Sequence, residues 1–197
     1  ARDSAESAIS NRPSPISFDP FVYQRRPSEK IVLRGIGDRG RELPVGGGET
    51  ARVAVRQENF DKIVHKIDRM GDYQPEFIYE DSGVVEVDPR DDASLASLNA
   101  TAEVKMVAVS DGLDLPVIAA YRLLAAKLDP RHPILLKDSL TRSQDPEAEF
   151  LPVLLRAATN IGSLLCDGIG DAVLVQGEDG PGQAVRLSYN ILQAAVA

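Results

Sequence analysis

The residues best placed to do chemistry each follow a short apolar run. Arg56 follows 52–55, Glu80 and Asp81 follow 76–79, and Ser110 and Asp111 follow 104–109. Lys137, Asp138 and Ser139 follow 133–136, and Gln176 follows 172–175. If those runs are parallel strands, these side chains gather at the C-terminal edge of the sheet, where α/β folds bind ligands. Lys137 beside Asp138 or Asp111 has the make-up of a general acid–base pair. Arg56 and Gln176 would add donors for an anion. The competing reading is that charged residues simply close strand ends beside solvent.

Other motifs carry less. Gly35-Ile36-Gly37-Asp38-Arg39-Gly40 has the glycine spacing of a dinucleotide turn, but that turn must open a helix whose amides hold pyrophosphate. Here Pro44 and Gly46-Gly47-Gly48 follow, which reads as a loop. Gly168-Ile169-Gly170-Asp171 falls after a helix and before a strand, at the edge opposite to ligand chemistry. It reads as a structural turn: Gly168 stops the helix at positive φ, Gly170 re-enters tightly, and Asp171 accepts hydrogen bonds from loop amides. Arg25-Arg26 could grip a phosphate or carboxylate, or serve an exposed arm. His65 and His132 supply no converging metal set. Cys166, beside two leucines, reads as a small buried apolar residue. Asn99-Ala100-Thr101 matches a glycosylation triplet that is common by chance.

Regular elements must position those residues. Residues 1–30, broken by Pro13, Pro15, Pro20 and Pro27, read as an extended arm, and 31–197 as one α/β domain. Ile31-Val32-Leu33 is a candidate edge strand, and 35–49 a mobile glycine-rich loop. Five strands are expected, at 52–55, 76–79, 104–109, 133–136 and 172–175. Phe60, Ile63, Val64, Ile67 and Met70 form one helical stripe ended by Gly71. A weaker helix covers 91–100. A strong one runs from Asp114, as N-cap, through Leu128, with Pro116 in its first turn. A long helix covers 146–166, bent near Pro152, and the last covers 183–195. Alternation of this kind predicts a mainly parallel five-stranded sheet with helices between strands. A closed eight-unit barrel takes about 250 residues, so the expectation is an incomplete TIM-barrel-like (β/α) domain or an open sheet.

Composition narrows the function classes. With 43% hydrophobic residues in 197, the chain can bury one full core. A net charge of −8 argues against nucleic acid or an anionic membrane as partner. No apolar run reaches the ~18–20 residues of a membrane span. The one cysteine allows neither an internal disulfide nor an all-cysteine metal site. No secretion signal is visible, and a reducing intracellular setting fits this composition.

The segment 162–175, Gly-Ser-Leu-Leu-Cys-Asp-Gly-Ile-Gly-Asp-Ala-Val-Leu-Val, resembles the approach to the final barrel strand in the 4-hydroxy-3-methylbut-2-enyl diphosphate synthase family. Tyr121-Arg122-Leu123-Leu124-Ala125 and Tyr189-Asn190-Ile191-Leu192-Gln193 resemble two of that family's barrel helices in the same order. The family's reaction is a reductive ring opening of 2-C-methylerythritol cyclodiphosphate, with electrons passed through a [4Fe-4S] cluster. Where the catalytic barrel carries an arginine and a serine for the diphosphate, this chain has Leu174 and Gln176. Ala108-Val109 stands at the place of a lysine, and Asp138 is a loose counterpart of a glutamate. The cluster cysteines have no counterpart here.

Tyr23-Gln24-Arg25-Arg26 resembles the entry to the extra domain inserted in the three-domain form of that family. The resemblance therefore implies an insert domain without cofactor of its own, a non-catalytic spacer derived from a partial barrel duplicate. Its partners would be the catalytic barrel and iron–sulfur domains of the same polypeptide, in a bacterial cytoplasm or plastid stroma. Two alternatives stand beside it: an independent small-molecule enzyme using Lys137, Asp138 and Asp111, and a docking module for an electron donor. Like charges weaken the second, since such donors are usually acidic.

Overall fold

The computed structural model describes residues 23–37, 41–141, 150–178 and 180–196. Residues 23–30 form neither helix nor strand. Strand β1 (Ile31–Arg34) pairs antiparallel with β2 (Glu42–Val45) in the register Ile31 to Val45. Part of the expected mobile loop is thus a strand. Its signal is the alternation Glu42-Leu43-Pro44-Val45, which buries Leu43 and Val45. Pro44 is tolerated because β2 pairs on one side only, in a two-stranded hairpin.

From β3 (Arg52–Val55) onward, helices and strands alternate. Helix α1 (Gln57–Ile63) passes directly into a 3₁₀ segment, Val64–Arg69, so the single helix expected to Gly71 divides. The expected stripe breaks there: Ile67 and Met70 are half-buried, while Val64 is 47% exposed. There follow β4 (Phe77–Ile78), a 3₁₀ turn at Glu80–Ser82, β5 (Val85–Val87) and α2 (Asp92–Ala100). The Asp91 side chain caps α2 by accepting from the Ala93 and Ser94 amides. The rest is β6 (Val107–Val109), α3 (Val117–Lys127), β7 (Leu135–Lys137), α4 (Phe150–Cys166), β8 (Ala172–Leu174) and α5 (Pro181–Val196).

One helix expectation changes. Helix α3 begins at Val117 with Pro116 at its cap position, not at Asp114, because a residue preceding proline is driven out of the helical region. Helix α4 is described from Phe150, so Pro152 stands in the first turn of its described part. Residues 146–149 of that expected helix lie outside the described residues.

The architecture is α/β with parallel strands. Strands β4-β3-β8-β7 form a four-stranded sheet in that order, and β5-β6 form a parallel pair. A bridge between Val107 and Ile134 links the pair to β7. Among the described residues there are thus six parallel strands where the sequence marked five. Strand β5 went unread because it is only three residues long between two turns. Alternate strand residues point to opposite faces. Val53, Val55, Val107, Val109, Leu136 and Val173 pack with helices α3, α4 and α5 in the larger core. Ala54, Phe77, Met106, Ala108, Leu135 and Leu174 form a second cluster on the other face, joined by Leu43 and Val45 of the hairpin. The face bearing this second cluster carries the polar residues considered next.

Candidate functional site

At the C-terminal edge, strand parity selects which polar residues meet. Lys137 shares a face with Leu135, and Gln176 with Leu174. Lys137 is fully buried, and its Nζ donates to Glu86 Oε1 at 2.6 Å and Asp111 Oδ1 at 2.9 Å. Arg56, 4% exposed, donates to Asp111 Oδ2 at 2.9 Å and Gln176 Oε1 at 2.8 Å, and reaches Glu80 at 3.4 Å. The Gln176 amide in turn donates to Asp111 Oδ1 at 2.9 Å and to the Ser139 carbonyl at 2.7 Å. Tyr79 lies beneath: the Arg56 guanidinium sits 4.0 Å from its ring centroid, and its hydroxyl bonds to Glu86. The structure therefore brings Arg56, Asp111, Lys137 and Gln176 together.

Two members were missed by sequence reasoning, Glu86 and Tyr79. The signal for Glu86 was available: a lone carboxylate between Val85 and Val87 in an apolar run has to face a cation or solvent. Burial opposes the Glu86 carboxylate, but hydrogen bonds from Lys137 and Tyr79 outweigh it and hold its pKa below the ordinary value. Asp111 behaves alike, with burial overcome by Lys137 and Gln176. The Tyr79 hydroxyl is pushed upward by burial and then by its bond to Glu86, so it remains a donor. Each cation in the cluster thus has a carboxylate of the chain itself within hydrogen-bonding distance.

Asp138 points the opposite way from Lys137, as strand neighbours must. Its Oδ1 accepts the Gln176 amide at 2.7 Å and the Gly177 amide at 3.2 Å, tying the exit of β8 to β7. Its Oδ2 is buried without a hydrogen-bond partner, 3.7 Å from Arg156, and burial raises the pKa of this carboxyl. The structure does not join Asp138 to Lys137, so no acid–base pair forms from those two.

The opposite edge holds the turn Gly168-Ile169-Gly170-Asp171. Gly168 has φ +77°, and a Cβ there would stand 2.1 Å from the Gln24 carbonyl oxygen. Gly170 has φ +124°, and a Cβ would stand 2.6 Å from Leu136 Cδ1. Both positions exclude side chains on two counts. Asp171, 3% exposed, accepts the Ile134 amide at 2.9 Å, the Ser28 hydroxyl at 2.7 Å and Arg25 at 3.0 Å. Arg26 donates to the carbonyls of Leu128, Asp129 and His132, and its own amide bonds to the Gly168 carbonyl at 2.8 Å. The arginine pair is therefore a clasp on the N-terminal edge. His132 is buried there, accepting the Lys105 amide at 3.0 Å through Nδ1, and burial lowers its pKa.

Cys166 is exposed, contrary to the buried position expected, because it falls on the outer side of the last turn of α4. Of the glycine-spaced loop, Gly35 to Gly37 lead from β1 toward β2, and residues 38–40 lie outside the described residues. Among the described residues, no three His, Cys, Asp or Glu side chains converge as metal ligands. No described helix is long and apolar enough to cross a membrane.

No family model matches the chain. Among characterised proteins, it is 44% identical over 179 residues to the 4-hydroxy-3-methylbut-2-en-1-yl diphosphate synthase (flavodoxin) of Akkermansia muciniphila. A protein of the same name from Chlorobaculum tepidum is 30% identical over 100 residues. The chain is homologous to a part of this synthase. The first match covers 91% of the chain but 29% of the relative, and the second 51% of the chain and 10% of the relative. The aligned part thus spans under a third of either synthase.

Proposed function

We propose that this chain is a non-catalytic insert domain of a 4-hydroxy-3-methylbut-2-enyl diphosphate synthase of isoprenoid biosynthesis, a rigid spacer between that enzyme's catalytic barrel and its [4Fe-4S] domain. In this reading the domain is an incomplete TIM-barrel-like duplicate with 31–197 as its body; of the arm expected over 1–30, residues 1–22 lie outside the described residues. The reductive opening of 2-C-methylerythritol cyclodiphosphate and the cluster both belong to the other domains of a cytoplasmic or plastid enzyme. The synthase is an oxidoreductase, and this part of it contributes architecture.

One observation carries the proposal. The cations at the edge where a barrel holds its substrate are already engaged: Lys137 by Glu86 and Asp111, Arg56 by Asp111 and Gln176. A diphosphate arriving there would have to displace two carboxylates of lowered pKa from fixed, partly desolvated contacts, with like-charge repulsion opposing its approach. Clefts of about 460, 220 and 290 Å³ lie elsewhere, and none of these is lined by Arg56, Glu86, Asp111, Lys137 or Gln176.

Calorimetric titration with the cyclodiphosphate tests this reading. The expected result is no heat that depends on Lys137 or Arg56. A binding isotherm that disappears in Lys137→Met, with the variant still folded, would overturn it in favour of a catalytic or ligand-binding edge.

A further inference from the structure

We propose that the cleft between the α1–3₁₀ segment and α5 is a binding site for a phosphorylated small molecule, separate from the Lys137 cluster. Lys62, Lys66 and Arg69 stand at i, i+4 and i+7 along one side, and Arg186 faces them from α5. Like charges at helical spacing repel one another. Here they are gathered in a chain whose net charge is −8, and among the described residues no carboxylate lines the cleft. Asp61 and Asp68, on the same segment, are not among its lining residues. Among the described residues, none of the four cations forms an ion pair. Lys62 bonds only to Asn59, at 3.3 Å, and Arg186 lies 5.5 Å from the Tyr73 ring centroid.

Size and lining favour a small organic anion. About 460 Å³ lies within the range of small-molecule sites, roughly 300–1,000 Å³. Ile63, Met70 and Tyr73 supply an apolar wall beside the cations. Tyr73 is braced edge-on against Tyr189, with ring centroids 5.7 Å apart. An anionic head among the four cations and an apolar body on this wall would satisfy both halves of the lining. Two negative charges on one compact group match convergent cations better than a single carboxylate does.

Titration of the 197-residue chain with inorganic diphosphate, read by calorimetry and by amide NMR shifts, tests the site. Saturable binding that perturbs Lys66, Arg69 and Arg186 is expected. The double variant Lys66→Gln/Arg69→Gln should weaken it at least tenfold with an unchanged circular dichroism spectrum, and Arg186→Gln alone should weaken it several-fold. Arg122→Gln, an exposed arginine elsewhere, should leave it intact. Absence of saturation, equal weakening in Arg122→Gln, or shifts confined to Lys137 and Arg56 would each overturn the proposal. Tighter binding of a polyglutamate peptide than of any phosphate would do so too, assigning the cleft to an acidic protein. The inference is independent of the spacer reading, since the two sites share no lining residue.

Discussion

The two edges of the sheet each hold an arginine against an aspartate, but they close by different means. At the C-terminal edge, Arg56 and Lys137 meet Asp111 and Glu86, all carried on or just beyond the strands. At the N-terminal edge, Asp171 is met by Arg25 and Ser28, which come from a segment with no helix or strand of its own. One edge is sealed by the strands' own side chains, the other by a clasp laid across it. A cluster built into strands fills its edge with the strands' own charges. A clasp depends on a segment that is held only by side-chain and loop contacts.

The largest effect that would sharpen this contrast comes from Lys137→Met. It leaves Glu86 and Asp111 without their shared cation; both carboxylates keep part of their surface in water, so the loss should fall at or below the lower end of the range for a fully buried pair, about 3 kcal/mol. Urea unfolding should show a lower midpoint at unchanged slope. Adding Glu86→Gln should restore part of the loss, since one fewer carboxylate then lacks a partner. A loss under about 1 kcal/mol for the single variant would mean the cluster is already well hydrated, as in surface pairs.

Gly168→Ala comes next. The added methyl meets the Gln24 carbonyl and a positive φ, so a loss of about 1–3 kcal/mol is expected. The clasp should suffer before the core does. Trypsin should therefore cut after Arg25 in this variant at a rate well above that of the parent, while Lys137→Met should show no such preference for the arm. Equal cutting in both variants would erase the distinction between the edges.

Asp171→Asn should be milder, about 1–2 kcal/mol, because the remaining oxygen can still accept the Ile134 amide and the new NH2 can donate to the Ser28 hydroxyl, while the charge on Arg25 loses its partner. Arg25→Gln in the same background should add little, a coupling that a double-mutant cycle measures.

The smallest effect is in pH. Glu86 and Asp111 have lowered pKa values in the folded state, so their stabilisation is complete above the ordinary carboxylate range and is lost as pH falls through the folded values. Asp138 has the opposite sign. Its raised folded pKa makes its contribution largest below the ordinary aspartate value, and that contribution fades as pH rises through the folded value. Stability measured from pH 3 to pH 7 should therefore flatten on its upper part in Asp138→Asn, and on its acid side in Glu86→Gln.

Much of the fold could be read from the sequence because its main signals are local. Short apolar strands such as 52–55 and 172–175, the stripe of α3, and the two glycines at 168 and 170 state their roles within a few residues. Strand β2 and strand β5 were hidden by brevity and by Pro44. The site was legible only in part for a different reason. Arg56, Asp111, Lys137 and Gln176 stand at strand ends, which position alone reveals. That they neutralise one another depends on strand order and face. Asp138 shows the limit: one residue from Lys137 in sequence, it faces the other side of the sheet. Arg25 and Arg26 looked like an exposed pair because their partners, Asp171 and the carbonyls near 130, lie more than a hundred residues away.

Soaking crystals of the chain with the cyclodiphosphate puts the central claim most directly at risk. The account predicts that Lys137 Nζ keeps Glu86 and Asp111 as its partners and that Arg56 keeps Asp111 and Gln176, with no ligand density at the C-terminal edge. A diphosphate seated between Arg56, Lys137 and Gln176, with Glu86 turned away, would contradict it.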